Sequence, residues 1–318
     1  NVLSLSLAQD GIINKLRSNL PDCPFPIRYT SLTAFNARYR QGRITATGSL
    51  VYTNVTEHVK IGDAPADFQR LAPSFTVSLQ PWQEQLLFLR LMYKSTFRMP
   101  TFNDLYYYRL GNRSLRPEKA NEYNMGITWS RSFSSFLNYL SVTVDGYYND
   151  VTDKIVAFPT TYAWKMANYG KVHVTGMDAT LAAAASLGKN MVLVVSGGYT
   201  RQKAIDLTDA TSKSYKDQLP YTPKHSGNVS AVLEMPWVNV GYSIVGVSER
   251  YSMSQNIPEN RIDGYMEHTV SLSRNFSFRH CKLRLQAEII NLTDTQYDVI
   301  KYYPMPGRSW RLTGTIEF

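Results

Sequence analysis

Long apolar runs are missing from this chain. In 318 residues, 43% of them apolar, no window approaches the roughly 18 uninterrupted apolar residues that a membrane helix needs. Cysteine is nearly missing too. The two that occur, Cys23 and Cys281, have no partner at a metal-site spacing, which argues against a zinc module. The five histidines, at 58, 173, 225, 268 and 280, form no HExxH or H-x-E pattern. There is no G-x-S-x-G elbow, no P-loop and no G-x-G-x-x-G after a strand. Asp150 with Asp153, and Asp206 with Asp209, lie in polar or loop contexts that solvation explains. No base and nucleophile pair stands out, so no catalytic residue, metal site or cofactor is expected and the chain does not read as an enzyme. No repeat of 20–50 residues is present, which counts against a propeller or solenoid. The opening residues NVLSLSLAQDG carry no Met, basic region or cleavage site, which suggests a mature or partial chain.

The charge is one-sided but diffuse. A formal net charge of +9 comes from 34 Lys and Arg against 25 acids, scattered singly and without a dense basic run. Nucleic acid is therefore not an expected partner. An anionic membrane surface, an anion-attracting lumen or a merely solvated surface suits the scatter better. What the chain does have is tyrosine, 22 residues in all. A mean hydropathy of −0.29 normally argues for a soluble protein. Membrane β-barrels escape that inference because only alternate residues of each strand face lipid, and their aromatic girdles absorb tyrosine. Tyrosine-rich soluble β-proteins share this composition.

Patterning is more specific. Leu312, Gly314, Ile316 and Phe318 alternate with Arg311, Thr313, Thr315 and Glu317, and Leu283, Leu285, Ala287 and Ile289 with Arg284, Gln286 and Glu288. Such two-residue periods mark strands with one apolar and one wet face. Short turns are predicted near Gly42, Pro81, Phe133, Gly188, Pro236 and His280. They alternate with longer polar segments at 9–26, 58–68, 97–118, 158–169, 205–223, 253–263 and 298–307. Long connections at one end and short ones at the other describe an up-and-down barrel with extracellular loops and periplasmic turns. About fourteen strands are predicted: 1–8, 27–39, 43–57, 69–79, 84–96, 119–131, 138–157, 170–186, 191–204, 224–235, 238–252, 264–278, 282–297 and 308–318. The alanine-rich run Leu181–Ser186 is read as strand despite its helical propensity. This map puts Cys23 and Cys281 at opposite ends of a wall about 25 Å tall, too far apart for a disulfide.

Two segments carry a family resemblance. The first is Asn291-Leu292-Thr293-Asp294-Thr295-Gln296-Tyr297, then Tyr303-Pro304-Met305-Pro306-Gly307-Arg308, then a terminal Phe318. The second is Phe97-Arg98-Met99-Pro100, Asp104-Leu105-Tyr106 and Gly111-Asn112-Arg113-Ser114-Leu115-Arg116-Pro117-Glu118, with a weaker match at Pro220–His225. Together they resemble the TonB-dependent outer-membrane receptors, with Phe318 as the barrel-assembly signature. The resemblance implies an all-β, antiparallel up-and-down transmembrane β-barrel of 22 strands. Residues 1–318 would supply about the last 14 of them, and the plug domain would be absent from this chain. It also implies a bacterial outer-membrane location. The implied partners are outer-membrane lipid and lipopolysaccharide, the missing amino-terminal plug and barrel segment, the TonB complex acting through that part, and a small-molecule nutrient.

Physical inference, rather than the resemblance, picks the candidate ligand-binding residues: Tyr106, Tyr107, Tyr108, Arg109, Asn112, Tyr162, Trp164, Asn168, Tyr302 and Tyr303. Rigid aromatic and amide groups on loops offer contact area at low entropic cost. The resemblance extends to the vitamin B12 and haem receptors of that family, and it implies that a haem receptor would carry an iron-ligating histidine in the 97–118 loop. Thr101–Gly111 has none, so the resemblance implies cobalamin or a ferric siderophore. The rival reading is a passive porin-like or structural β-barrel without TonB coupling.

Overall fold

Fourteen of these segments pair edge to edge in a computed structural model, which describes residues 2–134, 136–159, 164–188, 190–279 and 281–317. They are β1 (Leu3–Lys15), β2 (Ile27–Gln41), β3 (Ile44–His58), β4 (Phe68–Leu79), β5 (Leu86–Arg98), β6 (Glu118–Ser132) and β7 (Leu137–Pro159). Then come β8 (Trp164–Gly188), β9 (Met191–Asp206), β10 (His225–Glu234), β11 (Asn239–Val247), β12 (Tyr265–Ser277), β13 (Lys282–Ile290) and β14 (Ser309–Glu317). Every strand pairs antiparallel with its neighbours in sequence, and the described sheet runs open from β1 to β14. A short helix, α1 (Phe102–Tyr106), lies in the connection after β5. Among the described residues no helix is long and apolar enough to cross a membrane.

The predicted map needs four corrections. The first strand continues to Lys15, pairing Asp10 with Leu32 and Gly11 with Ser31, where a polar loop was expected from residue 9. The expected loop at 158–169 is mostly strand: β8 begins at Trp164 and Lys165 pairs with Phe158. Conversely, the strands expected to reach 252 and 297 end at Val247 and Ile290. Composition misled in each case, because ladder pairing with a neighbour, not polarity, decides where a strand stops. The alanine run is strand, with Leu181 opposite Val142 and Gly197. Cross-strand pairing overrides its helical propensity. Both cysteines are free, one in the β1–β2 connection and one in the β12–β13 turn.

This sheet is one layer thick. Its accessible surface is 20037 Å², whereas a compact monomer of 36.2 kDa exposes about 13,000 Å². Among the described residues no second sheet packs on the apolar face of this wall. Along one row Val77 pairs with Leu91 and Leu91 with Met125, and Leu91 and Met125 are 57% and 68% exposed. The adjacent row on the other face holds Arg90, Gly126 and Asp145. Apolar outward and polar inward is the pattern of a wall between lipid and an aqueous lumen. Among the described residues two small apolar clusters are buried, around Val172 and around Leu105, and both involve the long connections.

Candidate functional site

The long connections form a crown at one end of the wall, and the β5–β6 connection is its most built part. Pro100 ends β5, and Thr101 then caps α1. Thr101 Oγ1 accepts from the Asp104 amide at 3.1 Å while Asp104 Oδ2 accepts from the Thr101 amide at 2.9 Å, a reciprocal capping box. Arg98 Nη2 adds a third bond to Asp104 Oδ2 at 2.6 Å. Burial works against the charge on Asp104, but the Thr101 amide and the Arg98 guanidinium outweigh it and hold the carboxyl below its usual range. Leu105 is buried with Leu115, Ile155 and Met166, which presses α1 against the inward face of the wall.

There α1 meets a buried ion pair. Arg28 of β2 and Glu57 of β3 sit directly opposite each other, and Arg28 Nε donates to Glu57 Oε2 at 2.7 Å. The Tyr106 hydroxyl donates to the other carboxylate oxygen, and the Arg28 guanidinium lies 5.0 Å from the centre of the Phe102 ring. Burial, followed by the bond to Glu57 and its charge, pushes the Tyr106 phenol far above its ordinary value. The hydroxyl therefore stays a donor across the physiological range. Beyond α1 the chain doubles back at Gly111. A Cβ there would lie 2.7 Å from the Leu105 carbonyl and the Tyr106 nitrogen, a backbone approach that only glycine allows.

The structure divides the predicted binding residues into two groups. Tyr106, Asn112 and Asn168 use their polar atoms within the crown. Asn112 Nδ2 donates to the Met166 carbonyl at 3.1 Å and Asn112 Oδ1 accepts from the Ser114 amide at 2.9 Å. Asn168 bonds the Arg116 amide at 2.9 Å and the Arg116 and Asp153 carbonyls at 3.1 and 2.6 Å. The rest are more open. Tyr107, Tyr302 and Tyr303 are exposed, Arg109 holds a positive φ of 63° with its guanidinium 5.0 Å from the centre of the Tyr108 ring, and Trp164 faces Tyr221 at 6.1 Å. Tyr162 and Phe318 lie outside the described residues. Arg28 and Glu57 escaped the sequence reading. The signal was available, since counting back along both strands from the turn at Gly42 places the two opposite charges across from each other.

Hydrogen bonds lace the crown together. Arg113 Nη2 reaches the Asp22 carbonyl at 3.2 Å, the Lys60 amide the Pro24 carbonyl at 2.9 Å, and the Met166 amide the Leu110 carbonyl at 3.1 Å. Further round, the Tyr221 amide meets the Tyr251 carbonyl at 2.7 Å and Arg250 Nη2 meets the Asp298 carbonyl at 2.6 Å. The Asn-Leu-x-Asp stretch forms the last tie. Asn291, fully buried with φ 53°, accepts from the Thr295 amide and donates to the Thr295 carbonyl, both at 2.9 Å. Asp294 Oδ1 accepts from the Arg308 amide at 2.7 Å. These motif residues shape the loop.

Below the crown the inward face is polar. Arg90 and Asp145 form an ion pair at 3.0 Å that passes over Gly126, where a Cβ would lie 2.1 Å from Asp145 Oδ1. Among the described residues no group of three or more His, Cys, Asp and Glu could hold a metal ion.

Comparison with known proteins follows the same lines. The chain is 26% identical over 230 residues to the vitamin B12 transporter BtuB of Photobacterium profundum, covering 70% of this chain and 34% of that protein. It is 26% identical over 231 residues to BtuB of Vibrio vulnificus, covering 70% and 33%. The chain thus spans about a third of these curated relatives, which are transporters and not enzymes. Among solved structures it resembles the copper transporter OprC, with a TM-score of 0.74 at 14% identity over 99% of this chain and 53% of that one. It also resembles the unliganded ferric citrate transporter FecA, with a TM-score of 0.70 at 14% identity over 93% and 46%. At such identities these two speak for the fold alone. The model of the TonB dependent receptor-like β-barrel matches residues 13–292, and the chain belongs to that family.

Proposed function

We propose that this chain forms the wall and ligand-capturing crown of a bacterial outer-membrane importer that takes up cobalamin or a ferric siderophore. The observation that carries the reading is the crown itself. The connections are tied to one another and, through Tyr106, to the buried Arg28–Glu57 pair. Tyr107, Tyr108, Arg109, Trp164, Tyr302 and Tyr303 then stand on a braced scaffold, where less ordering entropy is lost on binding. A plug segment and the TonB complex that acts through it enter as partners, with the polar inward face available to the plug. A passive pore would have no use for such a braced aromatic rim. The similarity to two vitamin B12 transporters puts cobalamin first in any titration.

The test is ligand binding by the full-length receptor in detergent. Cobalamin, a panel of ferric siderophores and haem are titrated separately, with residues 97–118 deleted as the control. Saturable binding of cobalamin or a siderophore, lost on deletion, is the expected result. Absence of binding together with ungated conductance in planar bilayers would replace this reading with the porin-like one.

A further inference from the structure

The ladder between β4 and β5 stops short of the crown. β4 pairs with β3 as far as Phe68, and β5 pairs with β6 as far as Arg98. With each other they pair only from Leu79 and Leu89 to Ser74 and Lys94. Beyond that point Phe68–Pro73 and Ser95–Arg98 run side by side without a ladder. Pro73 sits just past the last pair, and a proline has no N–H to give a neighbouring strand. Side chains close this seam instead. Counting from Val77 and Leu91, which face outward, the two-residue period of a strand turns Phe68 and Arg70 inward, opposite Val55 and Thr53. The same count turns Ser95 and Phe97 outward, opposite Asn121 and Lys119. Yet the Phe68 and Phe97 rings lie 4.9 Å apart. Arg70 Nη2 donates to Ser95 Oγ at 2.9 Å, and its guanidinium is 5.9 Å from the centre of the Phe97 ring. Inward and outward side chains meet here because no backbone ladder stands between them. Among the described residues Arg70 joins no ion pair.

The seam joins two spaces. On the inward side Arg98 holds Asp104 of α1, and Glu57, two residues along β3 from Val55, holds Tyr106. The seam therefore opens beneath the docked loop of the crown. On the outward side Phe75 and Tyr93 form the next pair below it. They begin an apolar groove of about 540 Å³, walled further by Leu91, Tyr123 and Met125 and floored by Gly146. Tyr93, Tyr123 and Tyr148 stand in one row across β5, β6 and β7, as an aromatic girdle does at headgroup depth. The crown end is the extracellular end by loop length. The seam thus lies at the headgroups of the outer leaflet, where water satisfies unpaired backbone and hydrocarbon begins just below.

We infer that the seam is a side port for an amphiphilic nutrient, whose metal-chelate head sits in the crown while one alkyl tail passes between β4 and β5 into the groove over Gly146. The inference rests on the import reading above and narrows its substrate to one that carries a tail. Free lipid is kept out, because Arg70 spans the opening and hydrocarbon cannot replace its bond to Ser95. A ligand held by its head presents the tail to the seam at high effective concentration. Taking that tail out of water then favours the threaded state.

The test uses the full-length receptor in phosphatidylcholine nanodiscs. Cobalamin and the iron complex of a trihydroxamate are each titrated bare and with a dodecyl tail ending in a diazirine. Dodecanol with the same diazirine is the free-tail control. After irradiation, mass spectrometry of the peptides locates the label. A tailed probe should label β4 to β7 at Phe75, Leu91, Tyr123 or Met125, and excess bare probe should abolish this, whereas the free tail labels the outward face all round. Gly146→Val fills the groove, since a Cβ there meets only the Met125 carbonyl oxygen, at 4.0 Å, and should lose the label. Gly246→Val, in β11, where a Cβ meets Met266 Cγ at 3.7 Å, should keep it. Ser95→Ala releases Arg70 and should tighten the tailed probe about tenfold, as expected for one lost hydrogen bond to a charged group, with the bare probe unchanged. Label spread like that of the free tail, label that survives Gly146→Val, or an equal change of both probes in Ser95→Ala would overturn the inference. Binding of a bare probe would still leave import standing, whereas binding of neither form would take both readings down. If either variant fails to assemble, the labelling pattern on the parent decides.

Discussion

Replacing Glu57 with Ala strips the crown of its anchor on the wall. Arg28 and Glu57 have side chains only 11% and 4% exposed, so the substitution leaves a guanidinium with no carboxylate in a site largely closed to water. Breaking a buried pair in this way costs about 3–5 kcal/mol. Because Glu57 also holds the Tyr106 hydroxyl, the loss falls on the docking of residues 99–117 and not on the ladder of the wall. At about 1.4 kcal/mol per tenfold, the open fraction of that loop rises at least about a hundredfold. Tyr106→Phe removes one bond to a charged acceptor, about 1.5 kcal/mol, and raises it about tenfold. Amide hydrogen exchange reads this directly, since the Leu105, Gly111 and Asn112 amides bond the Thr101, Tyr107 and Asp104 carbonyls at 3.1, 2.7 and 2.8 Å. Their exchange should accelerate in the order parent, Tyr106→Phe, Glu57→Ala, while amides in β10 and β11 stay protected. Equal exchange in all three proteins, or a matching loss of protection throughout the wall, would refute the anchoring argument.

The same loop should respond to pH at both extremes. The Asp104 carboxyl is held below its ordinary 3.8, so its stabilisation is complete above that pH and fades as the pH falls below it. The Tyr106 phenol is raised above its ordinary 10.0, so its share is complete below pH 10 and is lost as the pH climbs toward the raised value. Limited proteolysis within 99–117 should therefore be slow between these limits and faster outside them, and a flat profile would contradict both assignments. Gly126→Ala drives a Cβ into Asp145 and should separate the Arg90–Asp145 pair, lowering the temperature at which the folded band disappears in heat-modifiability gels. An unchanged temperature would mean that the pair contributes nothing. Asn291→Ala removes two bonds to Thr295 from a fully buried site and should cost about 2–3 kcal/mol, measured as increased cleavage of the β13–β14 loop.

The alternation of apolar and polar residues, with long and short connections taking turns, was enough to derive fourteen antiparallel strands. That pattern is local and has a period of two, so it survives reading along a single chain. The Asn291 to Arg308 and Phe97 to Glu118 segments identified the family for a similar reason, because their turns depend on close neighbours. Strand ends at Lys15, Trp164, Val247 and Ile290 did not follow, since a strand ends where its partner stops pairing. The roles of Tyr106, Asn112 and Asn168 were equally hidden: their partners Glu57, Met166 and Asp153 come from other elements, and their polar atoms are bonded within the protein. The contact of Phe68 with Phe97 across the seam between β4 and β5 likewise exists only once four strands lie side by side. Sequence determined which residues face lipid and which face water, a property of each strand alone. Tertiary structure decided which of them meet, because hydrogen-bond register between strands brings distant residues together.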